Sequence, residues 1–176
     1  MLTRLIDWTD RLLQIVAVAG IGVLGVAIVL VVVDVALRST IGFAIIGTVD
    51  ITQLCVMAVA FWSIPLAFIR SGHVSITLAT DWLPARVNAV LDGLAALGGL
   101  VFVGLALRYG IERAGLALTY GDVSQTIAIP MIAYWAFLLS GLALACLATT
   151  VLALRQFALA ATGRDPHPTA KPETLL

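Results

Sequence analysis

Residues Leu12–Val33 read LLQIVAVAGIGVLGVAIVLVVV, 22 positions without a charge. At 1.5 Å per residue a helix of this length covers about 33 Å, enough to cross roughly 30 Å of bilayer hydrocarbon. Gln14 is the one strongly polar side chain in it. The run follows Arg4, Asp7, Asp10 and Arg11, and no small-residue cleavage site leads into a polar mature chain. It therefore reads as a retained transmembrane helix and not as a cleaved signal. Asp34 and Arg38 stand at its far end.

Outward from this run the rest of the chain has the same character. Its 176 residues are 61% hydrophobic and 11% charged, with a mean hydropathy of +1.09. A water-soluble domain of this size needs no such excess to fill its core, so the lipid bilayer is the expected solvent. Ten basic and ten acidic residues cancel, which leaves no basic field for nucleic acid. Cys55 and Cys146 lie in apolar runs and form neither a CxxC nor a metal spacing, so each reads as a small hydrophobe.

A second helix is expected from Asp50 to about Arg70, with an acid at its start and a base at its end, both complementing the helix dipole. Pro65 within it predicts a kink. Residues 71–86, with Gly72, His73, Asp81, Trp82 and Pro84, suit a short interfacial segment with Trp82 at headgroup depth. The third span is expected over about 87–107, continuing beyond the membrane as a polar turn through Arg108, Glu112 and Arg113. The fourth begins near Ile129 with Pro130 in its first turn and ends near Leu154. Gly163–Leu176, with three prolines and mixed charge, reads as disordered.

The expected architecture is an all-α membrane protein with four transmembrane helices, spanning about 12–37, 50–69, 87–107 and 129–154. They form one domain over residues 1–160, followed by a flexible tail over 161–176. With the N-terminus inside, the cytoplasmic side holds Arg4, Arg11, Arg70, Arg86, Arg155, Arg164 and Lys171, against Arg38, Arg108 and Arg113 outside. Seven against three favours both termini in the cytoplasm.

Asp34 and Arg38 are four apart, so they share a helix face in the favourable acid-before-base order. They suit a membrane-boundary ion pair or a contact for a partner on the outer face. Asp92 is the deepest acid, about one and a half turns into the third helix. Its residue type suits an ion relay, but a single carboxylate near the interface suits a structural helix contact better. His73 has only His167 as a fellow histidine, which does not suit haem ligation by spanning helices, a zinc site or a hydrolase. Loop ordering or partner contact remains for it, and no cofactor, metal or enzymatic activity is expected. Ala89 with Gly93, Ala95 with Gly99, and Gly141 with Ala145 are small-residue pairs at the spacing of close helix seams. The centres of all four spans read as apolar, whereas a self-sufficient secondary transporter places charged or broken helices at the midplane.

Several landmarks occur in a fixed order. Arg38 follows helix one; Gly47 and Asp50 open helix two; Ile69-Arg70-Ser71-Gly72-His73-Val74 follows it; Ser124 and the Ile129-Pro130 step precede helix four. In this order, over Leu12–Leu154, the chain resembles the small membrane subunit (DctQ-like) of tripartite ATP-independent periplasmic (TRAP) transporters. The resemblance implies a bacterial inner-membrane complex of three components. A large membrane subunit carries the substrate and sodium sites and moves; a periplasmic solute-binding protein delivers an organic acid; the small subunit scaffolds the large one and helps to present a docking surface. It also places Arg38 and Asp50 on the periplasmic side and Arg70 and His73 on the cytoplasmic side. Family members often have Glu where Asp50 stands, and an acid soon after the histidine where Ser75 and Thr77 stand here.

Other classes fit less well. An independent small four-helix membrane transporter is the alternative, but it would carry an acid centrally in helix one, where Leu12–Val33 has none. A membrane redox enzyme or cytochrome anchor would show paired cysteines or intramembrane histidines.

Overall fold

The computed structural model describes residues 2–71 and 85–162. These form four helices: α1 (Leu2–Ile41), α2 (Thr48–Ser71), α3 (Ala85–Tyr120) and α4 (Met131–Thr162). All four are long and apolar enough to cross a membrane. The expected interfacial segment, with His73 and Trp82, and the tail from residue 163 onward lie outside the described residues.

The helices stand side by side in the order α1, α2, α4, α3. α2 packs on α1 and on α4, and α4 packs on α3 and also touches α1. The α1–α2 and α3–α4 connections meet at one end of the bundle, here termed the loop end. Large apolar side chains face outward along this row, Val29 on α1 and Phe102 on α3 among them. Only lipid or another membrane protein can cover such faces without the cost of hydrating them.

Small residues set the seams, because close backbone approach supplies the packing that hydrophobicity cannot supply in lipid. A Cβ on Gly20 of α1 would meet the Val59 Cα of α2 at 3.2 Å. Gly141 of α4 lies against the backbone of Phe61 of α2, where a Cβ would meet the Phe61 Cβ at 2.6 Å. Trp62 Nε1 donates to Ser140 Oγ at 3.0 Å beside it. On the other side, Gly93 abuts Phe157, Gly99 abuts Thr149 and Gly110 abuts Leu139. Of the three expected small-residue pairs, Ala89 with Gly93 and Gly141 with Ala145 are buried in seams. Ala95 instead faces outward, and Ala96 takes its place in a core with Leu152 and Ala153.

Three boundaries differ from the sequence expectation. α1 begins at Leu2 and not near Leu12, since Asp7, Asp10 and Arg11 are compatible with a helix and no Gly or Pro interrupts. Gln14 Nε2 donates to Asp10 Oδ2 at 2.6 Å across one turn of this extension. Pro130 precedes α4, where it forms an antiparallel bridge with Val123. α3 runs on to Tyr120 where a polar turn was expected after residue 107. The physical reason is a continued buried stripe: Gly110, Ala114 and Ala117 keep helical spacing against α4.

This extension brings the charged residues of α3 beside the uncharged stretch of α1. Gly20, near the middle of the uncharged run of α1, abuts Val59 and Trp62; Phe61 beside them abuts Gly141; Leu139, next along α4, abuts Gly110. The four helices thus share one level, and Arg108, Glu112 and Arg113 lie within one turn of it.

Candidate functional site

Polar order concentrates at the loop end, and two buried aspartates organise it. Asp34, 4% exposed near the end of α1, uses both carboxylate oxygens. Its Oδ2 accepts from Arg38 Nη2 at 2.8 Å, and its Oδ1 accepts from the Ile45 amide at 2.6 Å. The spacing of four that brought Asp34 and Arg38 to notice therefore does form the ion pair. The second bond, to the α1–α2 connection, has no sequence signature, because Ile45 contributes only its backbone. Arg38 itself projects outward, its side chain 63% exposed.

Asp50 does the same for the α3–α4 connection. Thr48 donates its hydroxyl to the Ile45 carbonyl at 3.0 Å as α2 begins, and the Ile51 amide bonds back to the Gly47 carbonyl. Asp50 in this first turn is 2% exposed. Its Oδ2 accepts from Ser124 Oγ at 2.6 Å, the Ile127 amide at 2.9 Å and the Thr126 amide at 3.0 Å. Three donors around one oxygen offset much of the cost of taking this carboxylate out of water. Ser124 Oγ in turn accepts from the Ile129 amide at 2.9 Å, and Tyr134 donates its hydroxyl to the Asp50 carbonyl at 2.9 Å.

Two backbone features complete the clasp. Gly47 has φ +90°, and a Cβ there would lie 2.6 Å from Ile127 Cγ2, so both its conformation and its space exclude a side chain. Ala128 holds φ 55°, a left-handed conformation that is costly with a Cβ. The amides on either side of it are fixed, Ile127 to Asp50 and Ile129 to Ser124.

Beside the clasp, a groove of about 1350 Å³ opens over α2, with α1 and α4 as its walls. Val49, Val56, Met57 and Leu138 give it an apolar lining, while Asp34 and Arg38 mark its polar rim. No group of three or more His, Cys, Asp or Glu side chains that could hold a metal occurs among the described residues.

The structure thus brings Asp34, Arg38 and Asp50 to one end, with Ser124 and Tyr134 as partners. Ser124 was already notable in the sequence; the hydroxyl of Tyr134 was not, since an aromatic at a helix start reads first as an interface marker. Arg70 is exposed at the opposite end of α2. Asp92 is half-buried on α3, near where Gly93 meets Phe157. It is not without a partner, nor are Asn88 and the buried Arg155.

No curated protein and no solved structure matches the chain. A family model does, that of tripartite ATP-independent periplasmic transporters, DctQ component, over residues 27–159. This stretch contains the clasp, the loop-end part of α1, all of α2 and α3 and most of α4, well over half of the chain. The chain therefore belongs to the DctQ component family of tripartite ATP-independent periplasmic transporters.

Proposed function

We propose that this chain is the scaffold of a three-component uptake system. It holds a larger membrane subunit that carries the substrate and sodium sites, and a periplasmic binding protein delivers an organic acid to the pair. Family membership supports the transporter role. The observation that carries the scaffold role is where this chain spends its buried charge. Asp34 and Asp50 are committed to backbone and side-chain donors of the chain's own connections, and that end of the bundle is fixed by them. Carboxylates tied to the chain's own connections in this way hold a surface in shape.

The loop end is assigned to the periplasm and both termini to the cytoplasm of the bacterial inner membrane. Arg108 and Arg113 lie within α3, close to the level of Gly20 in the uncharged stretch of α1, and not in a connection between helices. Without these two the basic count becomes seven against one, which strengthens this orientation. Arg38 and the clasp then face the binding protein, and Arg70 and His73 the cytoplasm.

The test is to delete the chain and, separately, to tag it and purify from native membranes. Loss of uptake on deletion, together with recovery of one larger polytopic subunit in stoichiometric amount, is expected. Uptake that survives deletion would sink the proposal.

A further inference from the structure

Arg108 and Glu112 form an ion pair at 3.7 Å on the outer face of α3, their side chains 76% and 59% exposed. Arg113 beside them is exposed as well. The stripe around them is otherwise apolar and aromatic: Phe102, Leu105 and Tyr109 toward one side, Leu116 toward the other, all exposed. Gly110, between the two charged partners, abuts Leu139 of α4; two residues on, Gly141 abuts Phe61 of α2; Val59 there abuts Gly20 of α1. Gly20 lies eight residues from Leu12 and thirteen from Val33 in an uncharged run, so this level is about 12 Å or more from either end of that run.

Hydrocarbon is not a stable neighbour for these groups. Intramembrane charges face a protein interior or a water-filled cavity and are paired. A long arginine can extend its head toward the interface, but Glu112 is too short for that and its pairing holds Arg108 at the same depth. The group carries two positive charges and one negative. A partner that pairs them all must therefore bring a carboxylate. Arginine and tyrosine within an apolar rim also have the composition of a protein interface centre and not of a lipid-facing surface.

We infer that the Arg108–Glu112–Arg113 face of α3 is the surface on which the larger membrane subunit docks, through a transmembrane helix that presents a carboxylate to Arg113. This inference rests on the scaffold role proposed above and locates its contact, at the end of the helix row away from α1.

The test places a photoreactive phenylalanine analogue at Tyr109 and irradiates native membranes holding the whole transporter. An adduct between this chain and the larger subunit is expected. In parallel, Arg113→Glu should lower recovery of the larger subunit about tenfold or more, while Arg113→Lys retains most of it, with membrane insertion of both variants unchanged. If the wild-type complex purifies intact but the adduct forms only with lipid or with a second copy of this chain, the docking face is wrong and the scaffold role stands. The same holds if Arg113→Glu recovers the subunit as well as wild type. If wild type recovers no larger subunit at all, the scaffold role falls and this occupant with it.

Discussion

Replacing Gly141 by alanine adds one carbon where α4 lies against the backbone of α2. That carbon would lie 2.6 Å from the Phe61 Cβ and 2.7 Å from its carbonyl carbon, whereas non-bonded carbons rest at about 3.5 to 4.0 Å. The shortfall is about 1 Å, and the obstacle is backbone that no rotamer change can clear. The helices must part by a similar distance, which would stretch the 3.0 Å Trp62–Ser140 bond beyond hydrogen-bonding range. Overpacking costs about 1–3 kcal/mol and the lost bond about 0.5–1.5 kcal/mol. Against this, alanine is favoured over glycine in a helix by about 0.5–1 kcal/mol. Gly104→Ala is the control, because nothing lies within 4 Å of a Cβ there and only the helix preference acts. The helix preference is common to both variants, so unfolding of the purified chain in mild detergent, followed by helical circular dichroism, should separate them by about 1.5–4.5 kcal/mol, with Gly141→Ala the weaker. Equal stability of the two, or a more stable Gly141→Ala, would refute a seam set by backbone contact at this level.

Asp50→Ala removes the acceptor of three donors and should expose residues 121–130 to limited proteolysis, while Asp50→Asn, which keeps one neutral acceptor oxygen, should show an intermediate rate; equal resistance in all three proteins would show that the carboxylate does not hold the loop. Arg38→Glu sets an acid beside Asp34 and should reduce complex assembly or binding-protein docking more than membrane insertion, since Arg38 itself projects outward and Asp34 keeps its bond to the Ile45 amide; normal assembly and normal uptake would show the pair to be incidental. At Ala128, glycine relieves about 1–2 kcal/mol of left-handed strain against about 0.4–1 kcal/mol of added chain entropy, so Ala128→Gly should match or slightly exceed wild-type stability in thermal melts. Ala128→Val, β-branched at positive φ, should melt lower than both.

Much of the loop-end clasp was legible residue by residue but not as an assembly. Asp34 and Arg38 announced themselves because a spacing of four within one helix fixes a shared face whatever the rest of the chain does. Asp50 announced itself as an acid in a first turn. Its bonds to Ser124, Thr126 and Ile127 span more than 70 residues, and two of the three donors are backbone amides that any residue type would supply. The outward charges of α3 were visible too, but as a polar turn beyond the membrane. Three charged residues in six break the apolar run, and only the structure shows that the helix runs on to Tyr120 alongside α4, with Gly110 against Leu139.

What the sequence determined by itself is the solvent and the helix count. Runs of some twenty uncharged residues must form helices in lipid, where every amide and carbonyl needs an internal partner. It also determined where those helices can approach one another closely, since glycine and alanine permit it. The tertiary structure alone decided the helix order α1, α2, α4, α3 and the register that aligns Arg108 and Glu112 with Gly141 and Gly20. Order and register follow from which glycine meets which neighbour across the seams, and hydropathy, which is the same at every point along an apolar run, carries no information about that.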